Sequence, residues 1–306
     1  MSKILLTCAR RATMVRCVAA MIVLSVGPAA APASQISDTD DFADVATATM
    51  DYADKVGPER VLVVLDIDNT LLAMNQPLGS DQWFEWQRYL QEQEPRSRDL
   101  VAESFEGLLE AQGLLYNLGR MHPPQKNLPA LISRLQGRGV RTLVLTSRGD
   151  EFRVAAEREL NRNGYDFSKS ALPVGDVPGG QYLPYDLDEP EADGLTRQEI
   201  TAFRLTDPRP ISYANGIMMT AGQAKGAMLL TILHRATVDV DAIVYADDTM
   251  RHVGFVFAAI AGRGEEISAF HYTREDARVK KFQYGDKEDV SRRWRRLSHV
   301  LEEVFE

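Results

Sequence analysis

Cysteine is nearly absent from this chain. Its 306 residues include two, Cys8 and Cys17, both close to the start. Everything after Cys17 can therefore form neither a disulfide nor a cysteine nucleophile. Long apolar runs are missing as well. Val18 to Val26, for one, is far shorter than the roughly 20 residues a helix needs to cross a bilayer. Basic residues are the minority, 35 Lys and Arg against 44 Asp and Glu, for a net charge of −9. That balance argues against a nucleic-acid partner, whose phosphates would be repelled. Histidine is scarce, and His122, His234, His252 and His271 lack metal-ligand spacing, so they read as structural or solvated. No internal repeat or low-complexity block is visible. What remains is ordinary globular composition, 44% hydrophobic and 26% charged.

The first stretch has its own character. "MSKILLTCARRATMVRC" holds Lys3, Arg10, Arg11 and Arg16 and no acid, "VAAMIVLSV" follows, and "GPAAAPAS" offers small residues at Ala31 and Ala33. Basic, apolar and small residues in that order predict a secretory signal peptide over 1–33, cleaved near Ala33. Its removal would take both cysteines and move the net charge from −9 to −13. The expectation is a periplasmic or secreted protein with no stable membrane anchor after cleavage.

Residues 34–306 then read as one domain. "QISDTD" is a polar leader, and "DFADVATATMDYADKV" is a helix stopped by Gly57-Pro58. "RVLVVLDID", "VRTLVLTSR" and "AIVYADD" are strands of the continuously apolar kind found in parallel sheets covered on both faces, and "ISAFHYT" is a candidate fourth. Helical patterns lie between them, in "LPALISRLQGRG", "DEFRVAAERELNRNG" and "GQAKGAMLLTILHRA". Alternation of this kind predicts an α/β fold. A helical block from Ser80 to about Gly119 lies in an insertion placed at about 75–125. Pro, Gly and Asp clusters mark a loop and hairpin insertion at about 165–220, with turn signals near Pro178 and at Asn215-Gly216. At the end Val290, Trp294, Leu297, Leu301 and Val304 form the stripe of an amphipathic docking helix.

In open α/β sheets ligands bind beyond the carboxyl ends of the strands. Three strands here end in polar groups: Asp66-Ile67-Asp68-Asn69-Thr70, Thr146-Ser147-Arg148 and Asp247-Asp248-Thr249. Lys225 opens the helix before the third. If those strands are neighbours, the acids repel one another unless a cation sits among them, and hard oxygen donors suit Mg²⁺. A carboxylate beside such an ion can attack phosphorus, and a second one two residues on can give and take a proton. Thr146 and Lys225 could hold phosphoryl oxygens. Taken singly, each piece has a plainer reading: a capping turn, a structural strand end, a solvated lysine. Arg148 reads equally as reaching a substrate phosphate or as a surface salt bridge. The aromatics of "WFEWQ" read as helix core before substrate contacts.

The ordered set "LDIDNTLL", "LVLTSR", "GQAKGAML" and "IVYADDTM" resembles the four motifs of the haloacid-dehalogenase-like (HAD) superfamily of aspartate-nucleophile phosphohydrolases. Within it, "DIDNTLL", "QWFEWQ" and "NGIMMTAGQAKGAML" look similar to the DUF2608 group of exported bacterial proteins. An exported protein of this kind also resembles the periplasmic class B and C acid phosphatases, though the interval after the first motif is longer and more helical than theirs. The resemblance implies a Rossmann-like parallel sheet flanked by helices, with a helical cap inserted after the first motif. It implies Asp66 as nucleophile and metal ligand, and Asp68 as general acid/base with its carbonyl on the metal. Thr146 and Lys225 would bind the phosphoryl group, and Asp247 and Asp248 would serve Mg²⁺. The function it implies is hydrolysis of a small phosphorylated substrate through an aspartyl-phosphate. The alternative is a HAD-fold binding or effector protein without turnover, which the joint retention of Asp66, Asp68, Thr146, Lys225 and Asp247 disfavours. Phosphonate or halide chemistry on the same scaffold has no distinctive residue behind it.

Overall fold

The computed structural model describes residues 34–175, 177 and 179–305. The segment 1–33, read as a signal peptide with cleavage near Ala33, and Pro178 of the expected turn lie outside them. The first elements are β1 (Gln35–Thr39), α1 (Phe42–Val56), β2 (Val61–Leu65), β3 (Ala73–Met74), α2 (Asp81–Gln93), α3 (Phe105–Leu118) and β4 (Met121–His122). Next come α4 (Leu128–Gly137), β5 (Arg141–Thr146), α5 (Arg153–Arg162), β6 (Gln181–Tyr182), α6 (Arg197–Ala202), β7 (Ile211–Ala214) and β8 (Ile217–Met219). The last are α7 (Lys225–His234), β9 (Ala242–Asp247), α8 (Met250–Ala261), β10 (Glu266–Tyr272), α9 (Asp276–Tyr284) and α10 (Glu288–Phe305).

These form a mixed α/β architecture around a largely parallel sheet of order β1-β10-β9-β2-β5-β8-β7-β6. The first six strands of that order run parallel, and β7 and β6 add an antiparallel edge. Side chains alternate across the sheet. Val61, Val63 and Leu65 of β2 face α1, α4 and α5, while Leu62 and Val64 face α7 and α8. Both faces are covered, which is why β2 reads as an unbroken apolar run. Each fully buried Val or Leu there contributes about 1.5–3 kcal/mol.

Several sequence expectations need correction. Gln35–Thr39 is a strand, not a leader: it pairs in parallel with β10, Gln35 opposite Ser268 and Thr39 opposite Tyr272. An edge strand has one neighbour and one wet side, so it need not be apolar. The segment at 165–220 contributes strands to the sheet itself, β8 lying beside β5. Its Asn215-Gly216 turn forms as expected, both residues having positive φ, 53° and 77°, as a two-residue I′ hairpin requires. The helical block divides into α2 and α3, capped by Ser80 and Ser104, and lies in sequence between the strands of the short antiparallel pair β3–β4. Trp83 is 1% exposed and packs with Leu78, Leu108, Leu115, Phe282 and Val290, so the core reading of "WFEWQ" holds. The stripe on α10 docks only in its first half: Val290 is buried, whereas Val304 and Phe305 are exposed.

Candidate metal and phosphate site

Three adjacent strands, β5, β2 and β9, end side by side. Leu65 pairs with Val144 on one side and Ala246 on the other. The Asp66 N–H still donates to Ala246 O at 3.1 Å, which extends the ladder by one residue. Thr146, Asp66 and Asp247 thus emerge at one edge, 1%, 6% and 0% exposed.

Lys225 is the first residue of α7, at the positive end of that helix's dipole, where a cation is disfavoured by about 0.3–1 kcal/mol. Two carboxylates offset this. Its Nζ donates to Asp66 Oδ1 at 2.5 Å and Asp247 Oδ2 at 2.7 Å. Asp247 also accepts from Tyr245 OH at 2.5 Å and from the Thr249 N–H at 2.8 Å. Asp248 accepts from Asn69 Nδ2 at 3.0 Å and from Thr249 Oγ1 at 3.3 Å. Asn69 takes positive φ, 57°, a conformation asparagine tolerates. That bend turns its amide toward Asp248.

Asp66, Asp247 and Asp248 each present a carboxylate oxygen within 4.8 Å of the others. Their electrostatics differ. Burial pushes the Asp66 carboxyl up to about 8, Asp247 and Asp68 adding to the rise and Lys225 opposing it. Burial also raises Asp248, helped by Asp247 and Asp66. At Asp247 burial pulls upward too, but Lys225 and His252 outweigh it and hold the group well below the usual carboxylate range. His252 Nδ1 lies 3.4 Å from Asp247 Oδ2, without a formed hydrogen bond.

The other side of the pocket is built on Arg148. Its Nε and Nη2 donate to Asp68 Oδ2 and Oδ1, both at 2.7 Å, and it is 7% exposed. Of its two readings the ion pair is present, but buried and not at the surface: a fork on Asp68. Thr146 Oγ1 accepts the Arg148 N–H at 3.2 Å. Asp81, at the start of α2 and partly buried, is pushed up to about 7 by burial and then by Asp68 and Glu85, with Arg148 opposing.

The carboxylates of Asp66, Asp68, Asp81, Asp247 and Asp248 therefore share one field with two cations, Lys225 and Arg148. The hard oxygen donors and the excess of negative charge fit a divalent cation such as Mg²⁺.

Sequence reasoning named Asp66, Asp68, Thr146, Lys225, Asp247 and Asp248. All but Asp68 gather at the three strand ends or in contact with them, and Asp68 is turned onto Arg148. It missed Tyr245, although a residue two before Asp247 on a strand shares its face. It also took His252 and His271 for bystanders. His271 Nε2 lies 3.0 Å from Asp248 O, and its Nδ1 lies 2.9 Å from Asp38 Oδ1 on β1.

The model of one family, described as "Protein of unknown function (DUF2608)", matches residues 38–305. No curated protein and no solved structure matches the chain.

Proposed function

The chain belongs to the DUF2608 family, and we propose that it is an exported, Mg²⁺-dependent phosphomonoester hydrolase of the HAD type acting on a small phosphorylated substrate. The observation behind this reading is Asp66 at a strand end, touching Lys225 and grouped with Asp247 and Asp248. The side chains of Asp66, Asp247 and Asp248 and the carbonyl of Asp68 would hold the ion. When bound, it supplies positive charge that screens the acids and polarises a phosphoryl oxygen.

Asp66 Oδ attacks phosphorus, and the ester P–O bond breaks as the leaving oxygen takes a proton from Asp68. Water then attacks the aspartyl-phosphate, Asp68 accepts its proton, and phosphate departs. Lys225 and the Thr146 hydroxyl bind phosphoryl oxygens throughout. Lys225 leaves little of its charge unused in the resting protein, so incoming phosphate competes with Asp66 and Asp247 for it. The segment carrying α2 and α3 acts as a cap over the strand ends.

A second reading, a binding protein on the same scaffold without turnover, is favoured by one contact: Arg148 occupies both oxygens of Asp68. One experiment separates the two. The purified protein is assayed against a panel of phosphorylated metabolites and p-nitrophenyl phosphate, with and without Mg²⁺, beside Asp66→Asn. Hydrolysis that needs Mg²⁺ and falls about a thousandfold or more in the variant supports the hydrolase. No turnover across the panel, or turnover indifferent to Asp66, overturns it.

A further inference from the structure

Arg148 is held by a carboxylate, two aromatic rings and its own backbone. Its fork fixes both the position and the plane of the Asp68 carboxylate. Its guanidinium carbon lies 3.8 Å from the centre of the Tyr116 ring and 5.0 Å from that of Phe152. Those two rings meet edge to face at 5.7 Å. Its backbone is fixed as well, the N–H by Thr146 Oγ1 and the carbonyl by the Ala221 N–H at 3.1 Å. Swinging this side chain toward a substrate would break two charge-assisted bonds and leave both rings. Tyr116 belongs to α3 and Phe152 to the turn before α5. Tyr116 is 1% exposed, and its hydroxyl has no hydrogen-bond partner among the described residues. The ring face is therefore what the pocket uses.

We propose that Arg148 is a positioning residue that aims Asp68 for the hydrolytic half of the reaction, and that Tyr116 makes the α2–α3 segment part of the aim. This rests on Asp66 being the nucleophile. In that half a water oxygen bonds to phosphorus and the bond from phosphorus to the Asp66 oxygen breaks. Its electron pair returns to the Asp66 carboxylate, and the proton of the water goes to Asp68. A carboxylate that accepts two N–H bonds in one plane has its remaining lone pairs aimed in a set direction. Without the fork, Asp68 turns away and the water is not activated. The first half suffers less with p-nitrophenyl phosphate, whose leaving group departs without needing a proton. The phosphorylated protein then waits.

The test uses the full chain, p-nitrophenyl phosphate, steady-state kinetics and acid-quench detection of protein-bound phosphate. Arg148→Gln should lower kcat about a hundredfold, lower KM nearly in proportion so that kcat/KM stays within about threefold, and raise the phosphorylated fraction at steady state. Arg148→Lys should recover little, since an ammonium cannot reproduce the fork. Tyr116→Phe should match the wild type, and Tyr116→Leu should move toward Arg148→Gln. All four should retain a Mg²⁺-induced melting shift, which separates loss of aim from loss of fold. A raised KM without trapped phosphate would make Arg148 a substrate ligand and overturn the proposal. So would a fall in kcat with no trapped phosphate in a variant that melts normally. Either outcome with an active, Asp66-dependent wild type sinks this inference alone, whereas a wild type without Asp66-dependent turnover sinks the hydrolase reading with it.

Discussion

Lys225 and Arg148 are both buried cations among carboxylates, and they are held in opposite ways. Lys225 is a point charge shared between two acids from two strands, and sheet and helix set its place. Arg148 is a planar fork committed to one acid, with an aromatic floor supplied in part by the α2–α3 segment. The first arrangement can exchange partners: an ammonium donates in any direction, so a phosphoryl oxygen can replace Asp66 or Asp247 without rebuilding the pocket. The second cannot exchange Asp68 so easily, because a planar fork gives up both of its bonds to that carboxylate at once. The pocket thus combines a cation suited to bind whatever arrives with a cation suited to keep a neighbour still.

The strongest way to break this comparison is to remove the shared charge. Lys225→Met leaves Asp66 and Asp247 facing each other in a buried site. The metal-free variant should lose about 3–5 kcal/mol in a denaturant melt, and Mg²⁺ should restore part of that. A loss no greater than that of an exposed substitution would mean Lys225 is not the partner its geometry makes it. Metal binding gives the next effect. Because the ion binds only the folded arrangement, Mg²⁺ at a hundred times its dissociation constant should stabilise the protein by about 2.7 kcal/mol. Asp247→Asn should blunt the shift, and Glu302→Gln on α10 should not. Fixed ionic strength keeps screening from imitating binding. Equal shifts in wild type and Asp247→Asn would put the ion elsewhere.

The smallest effect sharpens the Arg148 side. Asp81 is raised from its usual value to about 7 by burial, then by Asp68 and Glu85. A carboxyl whose folded value is raised loses its proton more readily when the chain unfolds. Its contribution is therefore favourable below about pH 4 and is lost as pH climbs to about 7. Asp81→Asn should match the wild type at pH 4 and exceed it by about 1–2 kcal/mol at pH 8. A variant that is less stable at pH 8 would show that Asp81 makes a favourable contact as an anion.

The legibility of the two sides from sequence differs for a physical reason. Asp66, Thr146 and Asp247 each end an apolar run, so burial itself announces the strand, and parallel strands end at one edge. Lys225 lies at the start of an apolar helix, close in sequence to β9. The Arg148–Asp68 pair joins residues 80 apart, and Tyr116 lies on a helix whose spacing says only that it has a buried face. No local pattern encodes that meeting. The apolar helix α8 escaped notice between the clear strand β9 and the candidate strand β10, and β1 escaped because an edge strand tolerates polar residues.

That edge strand has a consequence in time. β1 is the first described element of the chain, and its partner β10 comes more than 200 residues later, as the contact between Asp38 and His271 at a separation of 233 residues records. Closing so long a loop is slow and entropically costly, so the sheet cannot be completed until nearly all of the chain has been delivered to one place. A protein fed through a membrane from its N-terminus would carry β1 across first and wait, its sheet unfinished, for the strand that completes it.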